Sequence, residues 1–167
     1  AMVAPAVVGQ LPVSLNKIAQ ALVDSGFSEV FEVAQGADTT ARTEAEDFKE
    51  RMESGAEFMT TSCCAAYNEL VDKHIPEMAP FRSETRTPMH YTAKFVKEQY
   101  PDAVTVFIGP CVAKRKEAQK DEYTDYVMNF EEMGALFVAL NIEVANCEDY
   151  QFANEASKEG RNFAITG

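Results

Sequence analysis

Short apolar runs alternate along the chain with segments whose apolar residues recur at helical spacing. This is the pattern of an α/β domain. The stripe from Leu15 to Val23 places its apolar residues on one helix face, with Ser14 positioned to cap the helix and Gly26 to end it. The run 103–108 is the clearest strand. The alternation predicts a largely parallel sheet flanked by helices.

The same reasoning assigns the remaining elements. We predict strands at 3–8, 28–33, 58–61, 103–108, 126–128 and 162–167. We predict helices at 15–23, 40–54, 65–74, 89–100 and 111–119, and one more after Asn129. In this last helix Glu132 completes a capping box, and the predicted buried stripe is Met133, Leu136, Phe137 and Leu140. Helix 40–54 carries an acidic face, predicted to be solvated, made of Glu44, Glu46, Asp47, Glu50 and Glu53.

Composition narrows the class of protein. The chain has 167 residues, enough for one domain, and a net charge of −12, which disfavours nucleic acid and anionic membranes as partners. No apolar run has the length of a membrane span, and residues 1–5 lack the features of a signal peptide, so we expect a cytoplasmic protein. Ala1 before Met2 has the form of a cloning remnant. Because the predicted strand 162–167 has nothing after it, we expect a chain cut inside a domain.

Three of the four cysteines share one sequence context, a predicted strand followed directly by a predicted helix. Cys63 and Cys64 come after the predicted strand 58–61, and Cys111 comes after the strand 103–108, each at the start of a predicted helix. Carboxyl ends of parallel strands meet at one edge of a sheet, and helix N-termini favour thiolates, so a shared soft-metal site is expected there. Zinc spacing of the C-x-x-C kind is absent, which favours iron-sulfur chemistry.

The other candidate ligands are weaker. Cys147 lies in a predicted loop with no strand before it, and free cysteines are commonly buried as small hydrophobes. His74 and His90 have no companion at ligand spacing. We interpret Cys147 as a non-ligand and both histidines as surface or packing residues.

Thr61-Ser62-Cys63-Cys64 and Gly109-Pro110-Cys111-Val-Ala-Lys114-Arg-Lys-Glu117 resemble the first two signature motifs of iron-only hydrogenases, in the domain that holds the H-cluster. The similarity extends over nearly the whole chain, from Ala4-Pro5-Ala6-Val7 through Ser83 and Thr87-Pro88 to 163–167. It implies that residues 1–167 are the N-terminal portion of such a domain. The implied cofactor is a four-iron, four-sulfur cluster joined to a di-iron subsite, and the implied reactants are H2 and protons.

The resemblance also implies residue roles. Cys64 and Cys111 match two ligands of the four-iron cluster, and Cys63 matches a proton relay. Lys114 matches a lysine that hydrogen-bonds a diatomic ligand of the di-iron subsite. Ser83, twenty residues after Cys63, matches a serine of the proton path.

The upstream acid of that path is matched less tightly, because the alignment around 43–47 slips by one residue. Glu44 is preferred over Glu46. An electron carrier, or additional iron-sulfur domains in the intact parent protein, completes the implied set of partners.

Departures from the family pattern are as informative as the matches. Catalytic members usually have Pro-Gly-Trp where this chain has Ala65-Ala66-Tyr67, and Met where it has Gly109. These changes resemble the divergent, sensory branch of the family. The third motif, Glu-x-Met-x-Cys-x-x-Gly-Cys, supplies the other two ligands in the family and does not occur in these 167 residues. We therefore expect the isolated chain to be inactive and to lack the cofactor.

Two other functions stay open. One is an iron-sulfur assembly or scaffold relative of the hydrogenases, against which Lys114, Glu117 and the adjacent cysteine pair argue mildly. The other is a thiol redox protein that uses Cys63 or Cys64. Vicinal cysteines bridge poorly because their Cα atoms are only ~3.8 Å apart, below the usual disulfide range.

Overall fold

A computed structural model describes residues 1–163, which contain four strands and seven α-helices. The strands are β1 (Met2–Val3), β2 (Phe31–Glu32), β3 (Val106–Gly109) and β4 (Tyr126–Asn129). The helices are α1 (Leu15–Asp24), α2 (Ala34–Glu53), α3 (Ala65–His74), α4 (Pro88–Gln99), α5 (Lys114–Ala118), α6 (Phe130–Ala139) and α7 (Lys158–Asn162). No helix among the described residues is long and apolar enough to cross a membrane.

All four strands pair in parallel, in the order β2-β1-β3-β4. The chain steps from β1 to β2 on one side and then returns to place β3 on the other side of β1. The direction of winding therefore reverses between β1 and β3, which is where parallel sheets leave a crevice at their carboxyl ends. The predicted α/β class with a largely parallel sheet is confirmed.

Apolar side chains cover both faces of the sheet. One cluster joins α1 and α6 to the sheet through Ile18, Leu22, Ile108, Met133 and Phe137. The cluster on the opposite face centres on Met2, Phe31, Met89, Ala93 and Phe107 and brings in α4. Each of the two inner strands thus alternates its side chains between the two cores.

The predicted buried stripe of α6 is partly wrong. Met133 and Phe137 are buried, but Leu140 caps the C-terminus of the helix and is 47% exposed. The capping box predicted for Asn129 and Glu132 is present, with both reciprocal hydrogen bonds.

Three predicted strands are shorter than expected, and the run 103–108 pairs as a strand only from Val106, ending at Gly109. The run 3–8 ends as a strand at Val3, because Pro5 begins a 3-10 turn over Pro5–Val7. Only Phe31 and Glu32 remain of the strand predicted at 28–33. The strand predicted at 162–167 falls mainly outside the described residues, and its first residue, Asn162, ends α7.

Helix α2 begins at Ala34, six residues before the predicted start at Thr40. Its first turns press against α4: a Cβ on Gly36 would lie 2.2 Å from the carbonyl oxygen of Pro88. Only glycine allows this approach. The predicted solvated face is also partly wrong, because Glu44 and Asp47 are only partly exposed and bond to other segments.

The two cysteine-bearing segments differ from their predicted shared design. Residues 58–61 do not join the sheet, and Thr60 instead forms an isolated bridge with Arg82. Cys111 does follow a strand, but α5 begins at Lys114 after a turn in which the Lys114 N–H donates to the Cys111 carbonyl. Pairing of sheet strands therefore fixes the position of Cys111 but not that of Cys63 and Cys64. These two cysteines must be held by contacts outside the sheet.

The free edge of β2 is covered by the side chain of Asn154. Its Oδ1 accepts from the N–H of Glu32 at 2.7 Å, and its Nδ2 donates to the carbonyl of Glu32 at 3.0 Å. The amide thus imitates the backbone of one more strand. The Glu32 carboxylate is buried and accepts two hydrogen bonds from Arg161, which docks α7 onto the same edge.

We expect Asn154→Ala to lower the free energy of unfolding by about 2 kcal/mol, because two buried backbone groups lose their partner. Urea unfolding followed by circular dichroism measures this loss. Asn146→Ala is the control, since Asn146 is exposed and bonds only locally to Glu143. Equal effects of the two substitutions would contradict the strand-like role of Asn154.

Candidate functional site

Cys111 lies at the crevice where the winding of the sheet reverses. It follows Gly109 and Pro110 at the carboxyl end of β3, and the neighbouring end of β1 is joined there by the Ala4 N–H, which donates to the Ile108 carbonyl at 2.9 Å. Gly109 is buried, and a Cβ there would lie 2.6 Å from the ring of Phe107. The phenyl ring of Phe107 therefore fills the space next to the glycine.

Cys64 is the N-cap residue of α3. Its Sγ accepts a hydrogen bond from the Tyr67 N–H at 3.4 Å, and the thiol is exposed. A sulfur in this position gives a hydrogen-bond partner to an N–H group of the first helical turn that has none within the helix. Cys64 thus has the helix N-terminus expected from the sequence, although no sheet strand precedes it.

Lys114 brings the two cysteine segments together. Its Nζ lies 3.5 Å from the carbonyl oxygen of Cys63 and 2.7 Å from Oε2 of Glu117. The other carboxylate oxygen of Glu117 accepts from the hydroxyl of Thr87, the N-cap of α4. The ammonium is mostly buried, and these contacts hold it at the junction of α3, α4 and α5.

The thiol of Cys63 is half-buried at this junction. Burial raises its pKa, and the negative charge of Glu44 raises it further. The Thr61 hydroxyl, with its oxygen 3.8 Å from the Cys63 Sγ, and the Lys114 ammonium act in the opposite direction. The expectation that the helix N-terminus would favour thiolate is therefore wrong for Cys63, because desolvation outweighs it.

Glu44 faces the cysteine segment from α2. Its Oε1 accepts from the N–H of Ser62 at 3.0 Å, and the Ser62 hydroxyl donates to the Thr85 carbonyl. Glu46 is exposed on the outer face of the same helix. Of these two acids, Glu44 is the one that contacts the residue before Cys63.

Ser83 bonds to Asp47, an acid that the family resemblance does not single out. Its buried hydroxyl donates to Oδ2 of Asp47 at 2.9 Å, and Oδ1 of Asp47 accepts from Arg51 at 2.7 Å. Burial acts to raise the pKa of Asp47, but hydrogen bonds from Arg51 and Ser83 outweigh it and lower the pKa. Asp47 follows Glu44 by three residues, so helical spacing alone puts both on one face of α2.

The remaining candidates lie apart from this group. Cys147 is half-buried, with its Sγ 3.7 Å from Oδ2 of Asp24 at the end of α1. His74 is exposed, and His90 is buried against Asp121 and two tyrosine rings. Within residues 1–163, no three His, Cys, Asp or Glu side chains converge in a way that could hold a metal ion. All four thiols are exposed or half-buried, and the two proposed from the sequence as ligands, Cys64 and Cys111, do not form a complete ligand set within the described residues.

Comparison with known proteins gives one consistent result. The family profile described as iron only hydrogenase large subunit, C-terminal domain, matches residues 1–167. Iron hydrogenase 1 of Clostridium pasteurianum is 28% identical over 171 residues, which cover 91% of this chain and 30% of the relative. The periplasmic Fe hydrogenase large subunit of Nitratidesulfovibrio vulgaris is 25% identical over 176 residues, covering 93% of this chain and 42% of the relative.

Solved structures agree in fold. FeFe-hydrogenase HydA1 from Chlamydomonas reinhardtii superposes with a TM-score of 0.83 at 27% identity, covering 92% of this chain and 45% of that one. A structure that describes stepwise H-cluster assembly in an FeFe-hydrogenase gives a TM-score of 0.82 at 28% identity, covering 92% and 44%. The chain thus spans less than half the length of the proteins it matches.

We expect the pKa of Cys63 in the metal-free chain to respond in opposite directions to its two charged neighbours. Glu44→Gln removes a negative charge and lowers the pKa, whereas Lys114→Gln removes a positive charge and raises it. The other three cysteines are changed to serine, and the rate of alkylation by iodoacetamide is measured against pH. The midpoint of that curve reports the pKa of Cys63.

Glu46→Gln is the matched control for Glu44→Gln, because Glu46 is exposed on the same helix. Its alkylation midpoint should equal that of the parent chain. Shifts of the same sign for Glu44→Gln and Lys114→Gln would contradict the assigned neighbours of Cys63.

Proposed function

Because the chain belongs to the family of the iron-only hydrogenase large subunit, C-terminal domain, we propose that residues 1–167 form the N-terminal portion of an H-cluster domain. The intact protein then interconverts H2 with protons and electrons, or senses H2 at the same cofactor. The observation that carries this proposal is Lys114, whose ammonium joins the Cys63-Cys64 segment to the segment that begins at Cys111.

The donor chemistry of the two segments fits the proposed cofactor in part. Four-iron clusters are held by cysteine thiolates, typically four of them. Cys64 at a helix N-terminus and Cys111 at the crevice of the sheet would supply two. The other two ligands would come from outside this chain. When bound, the four-iron cluster and its di-iron subsite supply the electron transfer and the hydrogen chemistry.

We assign Lys114 to the recognition of the cofactor. An ammonium that is mostly buried and already paired with Glu117 retains a hydrogen-bond donor for an anionic group placed in the crevice. Thr87 fixes the second oxygen of Glu117, so the lysine is oriented before the cofactor arrives. Charge-assisted donors of this kind are strongest where water is excluded.

We assign Cys63 to proton transfer. Its side chain precedes the proposed ligand Cys64 by one residue, and the charges of the Lys114 ammonium and the Glu44 carboxylate both act on its thiol. A proton relay needs an acid or base on either side within hydrogen-bond reach, directly or through one water. Glu44 bonds to the N–H of Ser62, the residue before Cys63, which favours it over the exposed Glu46 as the next member of the route.

Ser83 and Asp47 extend the proposed route toward solvent. Ser83 is buried and donates to Asp47, whose other oxygen is held by the partly exposed Arg51. A hydroxyl that both donates and accepts can pass a proton between neighbouring acids. The route proposed here therefore runs from Cys63 to Glu44, Ser83 and Asp47, and Arg51 holds Asp47 at the outer end.

A sensory role is the second candidate for the intact protein, and Gly109 favours it. Glycine supplies no side chain at position 109, and the ring of Phe107 fills the space where a Cβ would lie. The helix that follows Cys64 begins with Ala65, Ala66 and Tyr67, and the Tyr67 hydroxyl bonds to Thr60 at 2.9 Å. The surroundings of the proposed cofactor are thus altered on two sides relative to catalytic members.

The proposal also covers the electron partner and the cellular compartment of the intact protein. The intact protein would exchange electrons with a carrier or with additional iron-sulfur domains. We place it in the cytoplasm on the basis of the sequence, whereas one relative is named as a periplasmic enzyme.

The roles of the two adjacent cysteines are tested in the full-length parent protein. Cys63→Ser should leave iron content and the cluster spectrum intact while hydrogen turnover falls by about 10²-fold or more, the scale of a lost general acid-base group. Cys64→Ser and Cys111→Ser should instead lower the iron content. Paired measurements of iron, acid-labile sulfide and hydrogen evolution separate these outcomes.

Cys147→Ser is the control for a cysteine outside the site and should change neither readout. Loss of iron in the Cys63 variant with retention in the Cys64 variant would reverse the two assignments. A parent protein with a complete cluster but no response to H2, in evolution, uptake or signalling assays, would overturn the proposed function.

Ser83→Ala and Asp47→Asn test the outer part of the route. Each should reduce hydrogen turnover in the parent protein by about 10²-fold while leaving iron content unchanged, because each breaks the same chain of proton donors. Glu50→Gln, an exposed neighbour on α2, is the control. Unchanged turnover in both variants would show that protons leave by another path.

A further inference from the structure

The segment that carries Cys63 and Cys64 lacks the anchor that strand pairing gives to Cys111. Its backbone is tied to residues 81–85 and to α2, through Thr60, Ser62 and Glu44. Among the described residues, only a few polar contacts join this segment and α3 to α5 and the turn after it. One is the contact between Lys114 and Cys63, and the other two end on Glu69 of α3.

Glu69 gathers three lysines from two elements. Its carboxylate oxygens lie 2.8 Å from Nζ of Lys73, 2.7 Å from Nζ of Lys116 and 2.9 Å from Nζ of Lys120. Lys73 belongs to the same helix as Glu69, whereas Lys116 lies in α5 and Lys120 just after it. We call these four residues the lysine clamp. It fastens the helix that begins after Cys64 to the helix that follows Cys111.

The electrostatics of the lysine clamp depend on the negative charge of Glu69. Hydrogen bonds from the three lysines hold the pKa of Glu69 far below its usual range, so the carboxylate is ionised at any physiological pH. Without that negative charge, three ammonium groups would face one another across the gap between α3 and α5. Removing Glu69 therefore does more than delete attractions, because it leaves a net repulsion that pushes the two elements apart.

The lysine clamp also stands out from the charge of the whole chain. The protein carries a net charge of −12, yet the clamp has three lysines around one acid. Isolated surface ion pairs contribute little, and networks with several charges contribute more. Glu69 is less exposed than its lysines, at 19% against 45–60%, which reduces the screening of its charge by solvent.

We infer that Glu69 is a positioning residue that sets the separation of Cys64 and Cys111 through Lys116 and Lys120, before any cofactor binds. This inference rests on the proposed function only in taking the two cysteines to share one cofactor. The lysine clamp acts on the protein scaffold and touches neither thiol. Its action weakens as ionic strength rises, because the contacts lie at the surface.

The test uses the metal-free chain with Cys63 and Cys147 changed to serine and with nitroxide labels on Cys64 and Cys111. Dipolar broadening of the electron paramagnetic resonance spectrum reports the distance between the labels. Glu69→Gln should lengthen or broaden that distance distribution. A salt concentration of about 1 M, where the Debye length is about 3 Å, should lengthen or broaden the distance in the parent chain by screening the attraction to Glu69. In Glu69→Gln the same salt should narrow the distribution, because it screens the repulsion among the three lysines.

Glu53→Gln is the matched control, because Glu53 forms an exposed pair with Lys49 on α2 and joins no second element. It should leave the distance unchanged. Adding Lys116→Gln to Glu69→Gln removes part of the repulsion and should restore a narrower distribution. Circular dichroism confirms that each variant is folded, and Lys120→Gln alone gives a milder test if Glu69→Gln fails to fold.

An unchanged distance in both Glu69→Gln and high salt would overturn the inference. Because the readout needs no metal and no hydrogen chemistry, it separates failure of the lysine clamp from failure of the proposed function. In the parent protein, Glu69→Gln should slow the incorporation of iron without altering the turnover of the protein that is loaded. A loss of turnover at full iron content would also contradict a purely positioning role.

Discussion

One mostly buried ammonium holds the candidate site together. Lys114 lies beside the Cys63 carbonyl and the Glu117 carboxylate, and Glu117 in turn receives the hydroxyl of Thr87. These contacts join α3, α4 and α5, which are separated along the chain by more than ten residues each. A buried charge requires a partner, so the fold keeps Glu117 in reach, and the pair fixes where the cysteine segments meet.

The sheet supplies the frame for that contact. Parallel pairing of β1 with β3 opens a crevice at the point where the winding reverses, and Cys111 is the first polar side chain after β3. Ligands of parallel sheets gather at such points because no helix covers them. The Phe107 ring packs beside Gly109, just before the Cys111 thiol.

Helix α2 contacts the candidate site from a second side. Its face toward the site bears Glu44 and Asp47, one helical turn apart, while Glu46 and Glu50 of the same helix are exposed. Glu44 meets the segment before Cys63, and Asp47 meets Ser83, so one helix serves two separate loops. The close packing of Gly36 on α4 holds the helix near enough for both contacts.

The sequence by itself determined the α/β class, most helices, the capping box of α6 and the motifs that identify the family. These features depend on local periodicity, on capping residues and on short runs of residue types, all of which are written in neighbouring positions. The family resemblance also marked Cys63, Cys64, Ser83, Cys111 and Lys114 before any contact was known.

Only the tertiary structure decided which groups meet. It placed residues 58–61 outside the sheet, because Thr60 pairs with the 81–83 segment rather than with a strand, and an apolar run alone does not specify its pairing partner. It raised the pKa of Cys63 through burial, where the sequence had indicated only a helix N-terminus. It also turned Asp47 inward and gathered three lysines around Glu69, since contacts between residues far apart in the chain depend on packing and not on spacing.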